Sequence, residues 1–260
     1  MAFKTWRTGV HIQQDRVIAV ALTKERSAWY LRRWWQIPLL PDAIRDGQIV
    51  NPEQVVSALS EWSRALPRYH RIFLAFPAAR TLQKALPRPG MRLNDSEQAS
   101  WIASAMSREL EMAPDALCFD YVEDTLTQAF HVTAAQNKEV ADLLMLAKTL
   151  RLNLTAITPD AGALTNLLPL LAAPVQCVAW CDSNQWLWAM RHQWGRKRHD
   201  EAENVADLAA LLALNPQEIV LFDARQHDPF SLISRYQPPL PENGADFTVA
   251  LALAMGEILE

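Results

Sequence analysis

Residues 9–22, GVHIQQDRVIAVAL, read as a strand, a two-residue turn and a second strand, the layout of a phosphate-binding hairpin. His11, Gln13 and Gln14 stand where such a hairpin wants an acid and a glycine. His11 and Gln13 point to one face of the first strand, and they read as substitutions tolerated after a site decayed rather than as a new ligand pair. Cys177 and Cys181, with His192 and His199, offer metal-ligating types. Their spacing does not fit a zinc finger, and on a strand the two cysteines stand about 13 Å apart on one face, so they read as core residues. The stretch WLWAMRHQWGRKRH (186–199) interleaves aromatics with Arg191, Arg196, Lys197 and Arg198, the composition of a single-strand nucleic-acid platform. A solvated amphipathic hairpin is the favoured reading, and contact with anionic lipid headgroups fits the same patch. Asp120, Glu123 and Asp124 would be paired carboxylates in a hydrolase, but nothing nearby would raise one pKa, and an acidic strand end in water accounts for them. No G-x-S-x-G, H-E-x-x-H or C-x-x-C occurs.

The 260 residues suffice for one large domain or two lobes, and a chain that is half hydrophobic and about a fifth charged is of the globular, not the disordered, class. A net charge of −4 argues against a surface wholly adapted to nucleic acid. Three cysteines make no disulfide framework, which points to a reducing compartment. The opening MAFKTWRTGV has no apolar core of a secretory signal, and the longest apolar runs, 167–180 and 247–255, fall short of the ~18–20 residues of a membrane span. The expectation is a cytosolic protein attached to membrane only through a partner. The seven glycines stand alone, never as GG or GxG, so the usual Walker, Rossmann and kinase phosphate cradles are absent.

These residues sit on a recurring grammar. WRTGVHI, RVIAVAL and AWYLRRWWQI form three strands, followed by a helix capped by Asn51, with Pro52 at its first position, Gln54 completing a box and Val55, Leu59, Trp62 and Leu66 as its stripe. RIFLAFP (71–77) reads as a strand buried on both faces. Within YLRRWWQI (30–37), alternation puts Leu31, Arg33, Trp35 and Ile37 on one face and Tyr30, Arg32, Trp34 and Gln36 on the other. One tryptophan is then core, and the other packs on the inserted subdomain or a partner. From 80 to 152 the order is strand, helix, strand, strand, helix. Asp95 caps the first helix, with Ala99, Ile102, Met106 and Leu110 inward; Asn137 starts the second, with Val140, Leu143, Leu144, Ala147 and Leu150 inward. LTAITPD leads to a leucine-rich helix capped by Asp160. At 174 the opening grammar returns: VQCVAWC, QWLWAMRH and GRKRHDE, a helix with Val205, Leu208 and Leu212, and strand EIVLFDA (218–224). Asp246 caps a last helix whose stripe is Phe247, Leu251, Ala254 and Ile258. A β-β-β-α-β unit therefore appears twice, and the cleft between two such lobes is a natural ligand position.

Four stretches carry a resemblance: the opening hairpin, LPDAIRDGQIVNPEQV (40–55), FDYVEDTLTQAFHVTAAQNKEV (119–140) and DFTVALALAMGEILE at the end. Ile44, Asp46, Gly47, Ile49, Asp120, Tyr121, Lys138, Glu139 and Val140 stand at matching places. The chain resembles the PilM family of type IV pilus assembly proteins, actin-like ATPases, over nearly its whole length. The resemblance implies a mixed α/β, actin-like (RNase H-like) fold: residues 1–79 and 153–174 as the first lobe, 80–152 as an inserted α+β subdomain, and 175–260 as a reduced second lobe lacking its usual insertion. It also implies that the nucleotide motifs are damaged. His11 replaces the aspartate and Gln13 the glycine of the first phosphate hairpin; Trp180 and Asp182 replace their counterparts in the second; Asp223 and Ala224 stand where the adenosine-contacting glycines belong. Imidazole and indole give magnesium no oxygen ligand, and a carboxylate at 182 would repel phosphate. The expectation is therefore no cofactor, with ATP and magnesium as the alternative, and no catalytic or metal residue. The resemblance implies a non-catalytic cytoplasmic scaffold of a type IV pilus-like or competence (DNA uptake and utilisation) assembly platform under the bacterial inner membrane. It would bind the extended cytoplasmic tail of a bitopic PilN/HofN-like partner, with 72–90 and helix 95–110 as expected groove walls and the contact residues themselves unknown. A PilM-type ATPase, a type II secretion platform component (normally continued into a transmembrane helix) and a single-stranded nucleic-acid binder are the alternatives.

Overall fold

The computed structural model describes residues 5–256, apart from 27, 92, 125–126, 183–184 and 237–238. The chain divides into two compact units, one comprising the stretch up to Ala78 and that from Leu146 onwards, the other Ala79–Met145.

The larger unit opens with β1 (Trp6–Ile12), β2 (Arg16–Glu25) and β3 (Ala28–Pro38), an antiparallel meander. A two-residue hairpin, β4 (Ile44–Arg45) with β5 (Gln48–Ile49), leads into α1 (Pro52–Ala65). Helix α1 starts as its sequence dictates: Asn51 Oδ1 accepts from the Gln54 amide, Pro52 takes the first position, and Val55, Leu59 and Trp62 are buried. The Gln54 side chain closes no box; its Oε1 is buried without a partner. Strand β6 (His70–Phe76) then pairs parallel to β1.

The smaller unit is an antiparallel sheet of β7 (Thr81–Pro87), β8 (Leu117–Asp124) and β9 (Ala129–Gln136), in order β7-β9-β8, with α2 (Asp95–Leu110) after β7. Its core gathers Leu86, Ile102, Met106, Phe130, Val132 and Ala134. Asn94, not Asp95, caps α2, in a reciprocal box with Glu97, because the residue outside the helix has the extended backbone a cap needs. Helix α3 (Asn137–Thr149) starts where expected, but Leu144 is exposed and Leu146 takes its inward place, since 143, 146, 147 and 150 follow the i, i+3, i+4, i+7 spacing of one face.

Strand β10 (Leu154–Pro159) pairs parallel to β6 and completes a mixed five-stranded sheet, β10-β6-β1-β2-β3. After α4 (Asp160–Ala163) and a 3-10 stretch (Leu164–Leu170), the plan repeats: β11 (Cys177–Cys181), β12 (Gln185–Met190), β13 (Trp194–Arg198), α5 (Val205–Leu211) and β14 (Ile219–Phe222) give a sheet ordered β13-β12-β11-β14. The last helix, α6 (Thr248–Met255), is buried on every side, so it carries no amphipathic stripe; Ile258 lies outside the described residues. Asp246 belongs to a preceding 3-10 turn and does not cap α6. Nor does Asp160 act as a conventional cap: the residue before α4 is Pro159, while Asp160 Oδ1 accepts from its neighbour Ala161 and from Ala78.

Helix α6 lies across β1, β2 and β6, and the 3-10 stretch after α4 lies between α6 and strands β11 and β12. One continuous core therefore joins both sheets, from Ile18, Val20 and Phe73 to Val178, Leu187 and Phe222. Gly9 makes the approach possible, since a Cβ there would stand 1.9 Å from Ala250 O and 2.8 Å from Ala254 N. Arg7 closes the far end of α6: its Nε donates to Ala254 O at 2.8 Å, a terminal nitrogen donates to Gly256 O, and the guanidinium lies 4.5 Å from the Phe73 ring centre.

Candidate functional site

The turns of β1–β2 and β11–β12 are the two hairpin tips singled out in the sequence, and the structure brings residues of the two together. His11 is buried, and its ring meets Trp180 edge to face at 5.6 Å between centroids. Gln13 bridges outward: its Nε2 lies 3.3 Å from His11 Nδ1, and its Oε1 accepts from Arg16 Nε at 2.9 Å. Arg16 in turn lies 3.4 Å from Asp246 Oδ2. Trp180 Nε1 donates to Ala245 O at 2.7 Å. Both tips are thus fastened to each other and to residues 245–246, which lead into α6. Burial, reinforced by the neighbouring Arg16 charge, pushes the His11 pKa down to about 4, so the ring is neutral near neutral pH.

Of the remaining positions singled out in the sequence, Asp182 and Asp223 serve their own turns. Gln14 is exposed. Asp182 Oδ1 accepts from the Gln185 amide at 2.8 Å and so closes the β11–β12 turn. Asp223 Oδ1 accepts from the amides of Arg225 and Gln226, an Asx turn that ends β14, and Ala224 is exposed. Neither Trp180 nor the two aspartates could be chosen from spacing as structural parts. Asp160, at the end of β10, was legible only as a cap. Its carboxylate is buried, accepts the Ala78 amide at 2.9 Å and the Ala161 amide at 2.6 Å, and has its pKa raised to about 7 by burial, with the Asp182 charge adding to that rise.

Cys177 is buried, and it lines the α5 side of the second sheet together with Cys181. Burial pushes their thiols up to about 12 and about 11, and Cys181 Sγ lies 3.2 Å from His199 Nε2. His192 is exposed, and among the described residues no three His, Cys, Asp or Glu side chains converge as a metal site would require. Two cations of the basic stretch are paired with the acids that follow it: Lys197 with Glu201 at 3.3 Å, Arg198 with Asp200 at 2.9 Å. In the smaller unit, Glu123 pairs with Arg88 at 2.7 Å and Asp124 faces His131 at 3.4 Å, so the acidic strand end is held by neighbours and forms no carboxylate pair. Arg80 and the buried Glu139 form a bidentate pair, Nε to Oε2 at 2.6 Å, an anchor that reading Glu139 only as a motif residue had missed.

Both tryptophans of β3 find partners. Trp34 meets Phe247 at 5.4 Å and donates to Pro239 O at 3.0 Å, while Trp35 stacks with Trp6 and Trp62. The strict alternation expected along 30–37 fails because the β2–β3 register shifts at Ala21/Leu22, so Leu31 and Trp34, three residues apart, pack on the same core. Away from the hairpin tips, Pro38–Leu40 and the first turns of α1, with Asn51, Glu53 and Gln54, line an open depression of about 530 Å³. Among the described residues no helix is long and apolar enough to cross a membrane.

No protein-family profile matches the chain. Over 257 residues, 99% of each chain, it is 49% identical to the DNA utilization protein HofM of Escherichia coli K12. Its fold matches that of the PilM–PilN type IV pilus biogenesis complex (TM-score 0.67, 13% identity, covering 95% of this chain and 97% of that one). It also matches the cytoplasmic domain of EpsL, an inner-membrane component of the type II secretion system of Vibrio cholerae (TM-score 0.61, 10% identity, 96% and 95%). A Bacteroides thetaiotaomicron protein with an actin-like ATPase fold and unknown function follows at TM-score 0.51, 10% identity, 95% and 96% coverage. The fold is mixed α/β and actin-like.

Proposed function

The chain belongs to the HofM family of DNA utilization proteins, and from that premise we propose that it works by binding rather than by turnover. In this reading it is a cytoplasmic scaffold of a pilus-like or DNA-uptake assembly platform, stationed at the inner face of the inner membrane. It holds the cytoplasmic tail of a bitopic PilN-like protein, as the solved PilM–PilN complex of the same fold suggests. The observation that carries the non-catalytic part is the His11–Trp180 contact. Where two phosphate hairpins would face a nucleotide, two ring side chains face each other, and Arg16 is engaged by Gln13 and Asp246. His11, Gln13, Gln14, Trp180, Asp182, Asp223 and Ala224 are then the remains of nucleotide motifs, kept as structure. Strand β7 and helix α2 are the proposed contributors of the smaller unit to tail binding.

The test is a pull-down from solubilised inner membranes with this protein as bait. The expected prey is a single-span protein retained through its cytoplasmic tail, released by a synthetic peptide of that tail. Recovery of none overturns the adaptor reading. In parallel, millimolar Mg–ATP is expected to leave the melting temperature unchanged, since a ligand present far above its Kd stabilises by a few kcal/mol. A clear upward shift overturns the loss of nucleotide binding.

A further inference from the structure

The end of the first sheet away from its hairpin tip collects positive charge. Strands β1, β6 and β10 run parallel and begin at that end, and β2 returns to it and turns into β3. Helices α1 and α3 finish there, each leading straight into a strand, β6 or β10. Three corners of the chain are thereby brought to one end. Arg26 stands in the β2–β3 turn; Arg64 and Arg68 flank the α1–β6 corner, with Arg71 just beyond; Lys148 and Arg151 flank the α3–β10 corner. Asn153 ties the last two corners together, its amide donating to His70 Nε2 at 3.2 Å and its side chain to His70 O at 2.9 Å.

These six side chains are exposed, and among the described residues none of them is in an ion pair. Of the acids in the same corners, Glu25 pairs with Arg32 at 3.2 Å and Glu61, a turn before Arg64, is exposed. Lys4, Glu257 and Glu260 lie outside the described residues. In a chain of net charge −4 this is a local excess, not a share of a basic surface. The carbonyl ends of helices favour cations, which accounts for Arg64, Lys148 and Arg151. Arg26, Arg68 and Arg71 have no such local cause, and Arg26 sits at φ 56°, where glycine costs least. In the basic stretch of the second sheet, by contrast, Lys197 and Arg198 are paired with acids.

We propose that this end of the larger unit rests against an anionic lipid surface. Its charges stand on separate corners around the end of a sheet, so a planar layer of headgroups meets them together. A nucleic-acid strand would need a track of open ring faces. Tyr69, the exposed aromatic of this end, already has the Arg68 guanidinium over its ring at 5.8 Å. A tyrosine among cations is instead the pairing that a headgroup layer favours. The opposite end carries Asp15 and Asp42 in its turns, so the same surface repels it and the unit takes one orientation. This contact rests on the placement at the inner membrane given above, but it needs no protein tail, so protein-free vesicles test it apart from tail binding.

The measurement is flotation of the full chain with vesicles of phosphatidylcholine, alone or with a third of phosphatidylglycerol. Binding is expected to the anionic vesicles only, and to fall about tenfold or more from low to high salt. The R26Q/R68Q/R71Q variant is expected to bind about a hundredfold more weakly, each cation near the surface being worth about fivefold, with its melting temperature unchanged. R26Q/R71Q, which keeps the Arg68 ring contact, is expected to lose about twenty-five-fold. R191Q/R196Q, in the second sheet, is expected to bind like the parent protein. Equal binding to neutral vesicles, undiminished binding by the folded R26Q/R71Q variant, or as large a loss in R191Q/R196Q overturns the proposal. So does a single-stranded oligonucleotide that, at equal charge, displaces the protein from the vesicles, which would make the patch a nucleic-acid site.

Discussion

The two hairpin tips hold equivalent places in their sheets and are secured by opposite means. The β1–β2 tip is fastened by a polar relay, His11 to Gln13 to Arg16 to Asp246, and rests on a strand that gave up a side chain at Gly9 to admit α6. The β11–β12 tip closes on itself through Asp182 and Gln185 and offers bulk instead, the Trp180 indole. One lobe makes room and the other fills it. At both tips the side chains hold the lobes together.

The sharpest break of that comparison is at Gly9. Gly9→Val drives a side chain into the α6 backbone, which cannot yield as a side-chain tip can, and overpacking with backbone shift exceeds the usual 1–3 kcal/mol. The expected outcome is loss of the cooperative melt by circular dichroism. Trp180→Ala comes next: it empties a buried indole and removes its hydrogen bond to Ala245 O, an expected loss of about 3–5 kcal/mol in urea titration. Trp180→Phe keeps a ring against His11 and loses about 1 kcal/mol.

Acidity sets two buried groups of the first sheet against each other. His11, held near pKa 4 against an ordinary 6.5, refuses a proton that the unfolded chain accepts, so its contribution is whole above pH 6.5 and is lost as pH falls toward 4. Asp160, raised from 3.8 to about 7, runs the other way: it keeps a proton that the unfolded chain has released, so its contribution is whole below pH 3.8 and is lost as pH rises to about 7. The two slopes oppose each other between pH 4 and 6.5. Asp160→Asn keeps an acceptor for Ala78 and Ala161, and is expected to stabilise by on the order of 3 kcal/mol at pH 8 and by nothing at pH 3.5, read from melts across pH. His11→Gln is expected to remove the acid-side loss. Smallest is Asp246→Asn, a partly exposed partner of Arg16, at up to about 1 kcal/mol, fading further in salt.

Much of this frame was legible. The apolar runs of β1, β2, β6 and β11, the Asn51–Pro52 start of α1 and the repeated β-β-β-α-β order follow from local sequence and imply mixed sheets flanked by helices, while the actin-like assignment came with the family resemblance. What escaped depended on contacts far apart in sequence. The shift that puts Leu31 and Trp34 on one side is set by β2, not by β3's own residues. Helix α6 looked amphipathic because nothing local says that sheet and helix will cover both its faces. Gly9 stood in the sequence as one isolated glycine among seven, whereas its neighbour is a helix some 240 positions away. At the hairpin tips the residue types singled out His11 and Trp180, but not that the two would touch, since that needs both sheets in place.

The total burial of α6 also bears on how the molecule is made. During synthesis the inner surface of β1 and β2 emerges early and must wait for residues 248–255 before its covering exists. Until then a broad apolar sheet surface stays bare, the kind of delay that slows folding and invites aggregation or chaperone capture.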